Sequence, residues 1–217
     1  MVVSGRSGSV LAGAVLMLVF AGVAGCAGFR SGTMWAPYLA GTPAPTVVPT
    51  TPYEINQTRT VLHEGVEIWV RAGEDHTGSD LQVMLAVVPT SITLNPGGTT
   101  AGAGMLEVRL GIRTQAQALT LRADRALLRI GGRVVPLQAV ERQDASAPGP
   151  IQRFPQVAGQ ALTLPAQAYS SVLLRFETAA DDLGEETVLD LSQALQGFAT
   201  PLPAIRFTPL RWRYGYT

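Results

Sequence analysis

A period of two runs through the middle of this chain, and it leaves little choice of architecture. Leu106, Val108, Leu110 and Ile112 alternate with Glu107, Arg109, Gly111 and Arg113. Val66, Ile68 and Val70 alternate with Glu67, Trp69 and Arg71, and Val172, Leu174 and Phe176 with Leu173, Arg175 and Glu177. Successive side chains on a strand point to opposite faces, so each segment turns one face to a core and the other to water. Asp80 to Val88 is more uniformly apolar and reads as a strand covered on both faces. Leu119–Leu121, Thr187–Leu191 and Ile205–Tyr214 read as further strands.

The turns agree. Gly131-Gly132 separates Leu127–Ile130 from Arg133–Leu137, and two glycines accept the positive φ of a tight hairpin. Pro136 marks an edge or strand end. Gln143–Pro150 and Asn95–Gly104 read as loops, and Ser192–Phe198 as one helical turn capped by Ser192. About eight or nine short strands with frequent turns imply an all-β fold, an antiparallel β-sandwich over residues 58–217. The strand–Pro turn–strand run Leu162-Thr-Leu-Pro-Ala-Gln-Ala-Tyr-Ser-Ser-Val-Leu-Leu-Arg-Phe-Glu177 resembles the immunoglobulin-like sandwiches of exported bacterial proteins. The Cys–Trp–Cys signature of antibody domains is absent, which leaves strand order open.

At the other end, Val10 to Gly25 is an unbroken run of 16 apolar or small residues preceded by Arg6. That is a signal-peptide core, short of the ~20 residues that span a bilayer. It ends at Cys26, the only cysteine, so no intramolecular disulfide can form and an apolar core must hold the fold. Val23-Ala24-Gly25-Cys26 resembles the lipobox of bacterial lipoproteins: an aliphatic residue, two small ones, then cysteine. The resemblance implies that residues 1–25 are a cleaved signal peptide, recognised through Val23, Ala24 and Gly25, and that Cys26 is lipidated. Ala27 is not the aspartate that favours inner-membrane retention, so the resemblance implies the outer membrane, facing the periplasm. Each buried CH₂ of an acyl chain contributes about 0.8 kcal/mol, so several chains anchor firmly.

Residues 26–57 then read as the lipidated cysteine and a Pro/Thr-rich tether, with five prolines between Pro37 and Pro52. Met34, Trp35 and Tyr38 are apolar residues stranded within it. Without residues 1–25, 192 residues remain, with 15 Arg against 16 Asp and Glu. One domain and a tether fit that length. The balance offers no basic stripe for nucleic acid and no polybasic segment beside a lipid.

Candidate chemistry is sparse. His63 and His76, the only histidines, each adjoin an acid (Glu64, Asp75), but a metal site needs three or four converging ligands. Surface turns are the plainer reading. The acidic stretches Glu74–Asp80 and Asp181–Glu186 lack calcium-loop spacing. No nucleophile motif, phosphate loop or catalytic Lys is present, so the expectation is a non-enzyme with no cofactor and no metal. Near the C-terminus, Arg211, Trp212, Arg213 and Tyr214 alternate aromatic with arginine. They form either a closing strand that buries its aromatics or an interaction edge, since Trp, Tyr and Arg are enriched at hot spots. The reading is an envelope lipoprotein presenting a protein-interaction module to an unidentified partner. The alternatives are a structural accessory of an envelope or secretion assembly, and a small-ligand or glycan-binding module with Trp69 on its platform.

Overall fold

The computed structural model describes residues 26–73, 76–84, 91–93, 104–144, 152–155 and 159–216. Residues 1–25, read above as a signal peptide, Glu74-Asp75 and most of the loops expected near residues 95–104 and 143–150 lie outside them. In chain order the first strands are β1 (Cys26–Leu39), β2 (Thr60–His63), β3 (Val66–Ala72), β4 (His76–Met84), β5 (Ser91–Thr93), β6 (Leu106–Arg113), β7 (Leu119–Leu121) and β8 (Leu127–Ile130). There follow β9 (Arg133–Val135), β10 (Leu137–Asp144), β11 (Gln152–Pro155), β12 (Leu162–Leu164), β13 (Tyr169–Phe176), β14 (Val188–Asp190), β15 (Leu195–Gln196) and β16 (Ile205–Tyr216). One α-helix among the described residues, α1 (Pro52–Thr58), sits between β1 and β2.

The fold is an all-β antiparallel sandwich. One sheet has the order β5-β4-β1-β16-β14-β8-β9, the other β11-β10-β13-β6-β3-β2, and a small third sheet is β12-β7-β15. The alternating residues read from sequence fill the space between the large sheets. Val66, Ile68 and Val70 of β3, Leu106 to Ile112 of β6, and Val172, Leu174 and Phe176 of β13 are buried in one cluster with Leu128, Leu189, Ile205 and Phe207 of the opposing sheet. The third sheet adds Leu119, Leu121, Leu164 and Leu195 to the same core. The expected hairpin turn is present, with Gly131 at φ 56° and Gly132 at φ 80°. Pro136 ends β9, the edge of its sheet, and leads into β10 of the other. The strand count exceeds the eight or nine expected, because pieces of two to four residues are too short to show a period.

The tether boundaries need correction. Residues 26–39 are not a spacer: β1 lies inside the seven-stranded sheet, paired with β16 from Gly28↔Tyr216 to Leu39↔Ile205 and with β4 on its other side. Both faces of its second half are covered. Trp35 and Leu39 pack on the main core, while Met34 and Ala36 join Ile55, Leu210 and Trp212 in a second cluster roofed by α1. Only the stretch from Pro43 to Thr50, outside any strand or helix, keeps the prolyl character expected of the whole. Then Thr51 caps α1, accepting a bond from the Glu54 N–H at 3.2 Å. Pro52 fills the first turn, where its missing N–H has no partner to lose.

At the C-terminus the structure has a closing strand that buries Trp212. β16 lies between β1 and β14, and Trp212 is only 5% exposed. β14 covers β16 only at Val188 and Leu189. Further on, the Pro-rich segment takes over that side, and the Arg213 N–H donates to Pro49 O at 3.1 Å. Alternation puts Pro209 on the same side, so its absent N–H removes no ladder bond to β1. Arg211 and Arg213 remain exposed.

The expected helical turn at 192–198 shrinks to residues 191–195, closed by Leu195 N–H to Leu191 O at 2.7 Å. Asp190 rather than Ser192 is its cap, accepting from the Ser192 N–H at 3.0 Å.

Candidate functional site

The outer face of the six-stranded sheet carries the site. Register sets its rows: Glu67 and Tyr169 flank Arg113, and Trp69 and Ser171 flank Gly111. With α1 rising beside β2, these rows form a groove of about 830 Å³ lined by Tyr53, Gln57, Leu62, Trp69, Gly111 and Tyr169, with Asn56, Thr60, Glu67 and Arg113 among its polar groups. A second hollow of about 600 Å³, lined by Arg113, Thr114, Gln115, Gln167 and Tyr169, adjoins it by sharing Arg113 and Tyr169.

Each wall has a local cause. Gly111 has no side chain, and the Tyr169 ring occupies the space: a Cβ there would lie 2.9 Å from Tyr169 Cζ and 3.0 Å from Cε2. The approach to Tyr169 is pinned, because Thr114 N–H donates to Ala168 O at 3.1 Å and Gln167 N–H to Gln115 O at 3.1 Å. Burial raises the Tyr169 phenol above its ordinary pKa. Trp69 is half-buried and braced by the Arg59 guanidinium, 5.9 Å from its ring centroid, a cation–π contact. From α1, Gln57 Nε2 donates to Tyr53 Oη at 2.8 Å and steadies that ring.

Seven large apolar side chains are exposed among the described residues, and three of them, Tyr53 (70%), Leu62 (63%) and Tyr169 (54%), line this one groove. Single exposed apolars need no explanation, whereas a cluster rimmed by polar groups marks a binding surface. The charges inside are matched, with Arg113 Nη1 3.7 Å from Glu67 Oε2. Deeper along the same face the network is denser. Burial pushes the Glu107 carboxyl up, but hydrogen bonds from Arg175 (3.1 Å) and Arg109 (3.4 Å) outweigh it and hold the pKa below the ordinary value. Leu173, on the solvent side of β13, is fully buried.

Of the residues singled out from sequence, Trp69 is in the groove. Tyr169, Gly111, Tyr53 and the amides were not anticipated. Only the fold's register brings Tyr169 beside Arg113, and the helix carrying Tyr53 lies in the segment read as tether. The two histidines are not brought together, since His63 ends β2 in one sheet and His76 opens β4 in the other. No group of three or more His, Cys, Asp or Glu among the described residues is placed to hold a metal ion. Asp182 of the acidic loop serves its own turn, accepting from Thr178 Oγ1 at 2.6 Å. Cys26 opens β1 opposite Met84, and Val23, Ala24 and Gly25 lie outside the described residues.

His63 and Glu64 instead form a latch. Glu64 sits at φ 46° in the β2–β3 turn, a conformation that costs a non-glycine residue free energy. Its carboxylate accepts from Thr200 Oγ1 (2.6 Å), Ala199 N–H (2.7 Å) and Thr200 N–H (2.8 Å), while His63 Nε2 lies 3.1 Å from Thr200 O. The hydroxyl bond first, then the two N–H groups, lower the Glu64 pKa. A carboxyl depressed in the folded state contributes stability that is present above its unfolded pKa and lost as pH falls through the folded one. Glu64→Gln should therefore lower the melting temperature at neutral pH and flatten its decline at acidic pH. A variant whose melting curve tracks wild type at every pH would disprove the latch.

No family model matches the chain, and neither a curated protein nor a solved structure is significantly similar to it.

Proposed function

We propose that this protein is a non-enzymatic lipoprotein of the bacterial envelope, held by acyl chains on Cys26, whose sandwich binds an envelope partner through the groove between α1 and the six-stranded sheet. The anchor rests on Val23-Ala24-Gly25-Cys26 at the end of the apolar run, with Ala27 favouring the outer membrane. Among the described residues, no helix is long and apolar enough to cross a membrane. The binding role rests on one observation, the gathering of Tyr53, Leu62, Trp69 and Tyr169 in a single groove. Because β1 starts at Cys26, a lipid there would hold the end of the seven-stranded sheet against the headgroups, without a stalk.

Two experiments test this. Labelled palmitate should enter the wild-type chain, and Cys26→Ala should abolish incorporation and leave the signal segment attached. Equal labelling of both would remove the anchor. For the binding face, a photo-crosslinking residue at position 53 should give adducts in intact cells. The same residue at position 134, where Val134 is exposed on β9 of the other sheet, should give none. Adducts at both positions or at neither would remove the groove.

A further inference from the structure

We infer that the occupant of this groove is an uncharged, linear carbohydrate chain, an inference that rests on the groove being the binding face. The uncharged polar groups are amides and hydroxyls. Asn56, Gln57, Gln115 and Gln167 are amides, and Thr60, Tyr53 and Tyr169 add hydroxyls, whereas Thr114 is buried with its hydroxyl engaged by Pro165 O. Amides and hydroxyls both donate and accept, which is what a sugar hydroxyl, itself donor and acceptor, requires. A peptide backbone in the extended proline-rich form offers mainly carbonyl acceptors, and aromatic ridges alone suffice for it. The groove is richer in dual-function groups than that mode uses.

Three aromatic rings supply the complementary half. A pyranose has an apolar C–H face, and Trp69, Tyr53 and Tyr169 are rigid amphipathic surfaces for such faces, with little conformational entropy to lose. The charge pattern narrows the class further. The two charged side chains of the larger hollow, Glu67 and Arg113, neutralise each other, so no surplus charge selects a phosphate or a uronic acid. Shape narrows it again, because the 830 Å³ and 600 Å³ hollows meet at Arg113 and Tyr169. A single sugar would leave most of that length empty, while a chain would pass over Tyr169 from one hollow to the other.

The test uses the full chain in detergent, titrated calorimetrically with cellohexaose, chitohexaose, mannohexaose and xylohexaose and with a proline-rich dodecapeptide. Indole N–H shifts of Trp69 report the site. At least one hexasaccharide should bind, more tightly than its own disaccharide, and Trp69→Ala and Tyr169→Ala should each weaken it by roughly tenfold or more, as loss of an aromatic anchor does. Tyr53→Ala, at an exposed position, guards against misfolding and should also weaken binding. Gly111→Ala should do so by displacing the Tyr169 ring alone, with the circular-dichroism melt retained. Binding of the peptide with no hexasaccharide bound, no binding of any probe, or binding indifferent to these four substitutions would overturn the carbohydrate assignment. A persistent position-53 crosslink alongside such a failure would leave the groove as the binding face and assign it to another partner; loss of both would remove the groove itself.

Discussion

A chain lacking residues 211–217 should not fold. The deletion removes Trp212, which is packed with Met34, Ala36, Ile55 and Leu210 and stacked on Tyr214 with ring centroids 5.7 Å apart. Truncating a buried Trp to Ala alone costs about 3–5 kcal/mol. The deletion also strips the ladder partners of Gly28 to Thr33, from Gly28↔Tyr216 to Thr33↔Arg211, and takes the Arg213 N–H from Pro49 O. The roof helix α1 then covers a surface with its centre missing. Domains of this size have about 5–15 kcal/mol of net stability, and the summed losses reach that range. The far-ultraviolet circular-dichroism melt should lose its cooperative transition. A truncated chain melting cooperatively within a few degrees of the full one would show that the aromatics of β16 contribute little to the fold, and would favour their use as an edge.

The same particulars show why parts of this architecture are legible from residues alone and others are not. Strands β3, β6 and β13 each have one face on the core and one facing outward, so their alternation is visible, and β6 runs over the residues expected, Leu106–Arg113. The second half of strand β1 is covered on both faces. Its sequence, Thr-Met-Trp-Ala-Pro-Tyr-Leu, therefore has no reason to alternate. Proline-rich composition just beyond it completes the disguise. Met34 and Trp35, stranded apolars in a supposed linker, were the signal that could have exposed it.

Helix α1 was also written in the chain, since Thr51-Pro52-Tyr53-Glu54 combines a cap, a first-turn proline and an acid three residues on. Here Glu54 Oε2 reaches back to the Thr50 N–H at 2.6 Å, one residue before the usual partner. With a single buried residue, Ile55, the helix has no apolar period to reinforce those signals. The groove was half-legible. Outward placement of Trp69 follows from its neighbours Ile68 and Val70, but the pairing of Trp69 with Gly111 and of Arg113 with Tyr169 depends on inter-strand register, which no single strand encodes.

That central position of β1 carries the second large prediction. A chain starting at Thr58, where composition suggests the domain begins, should be insoluble or unfolded. It would lack the strand that joins β4 to β16, split the seven-stranded sheet in two, and expose the inner edge of each part. Unpaired edges and an uncovered apolar face favour association between chains. It would also lose Met34, Ala36 and Ile55 from beside Trp212, and Leu39 from the main core. Each large buried aliphatic side chain removed costs on the order of 2–5 kcal/mol, so the loss exceeds what one domain can absorb. A chain starting at Ala27 keeps the whole of this packing and should melt cooperatively, with sharp amide resonances. If both chains fold alike, β1 is dispensable and the stretch ahead of the helix is a spacer after all. If only the longer one folds, β1 is part of what holds the sandwich together, and under the proposed lipidation of Cys26 the sheet itself would set the height of the groove above the membrane.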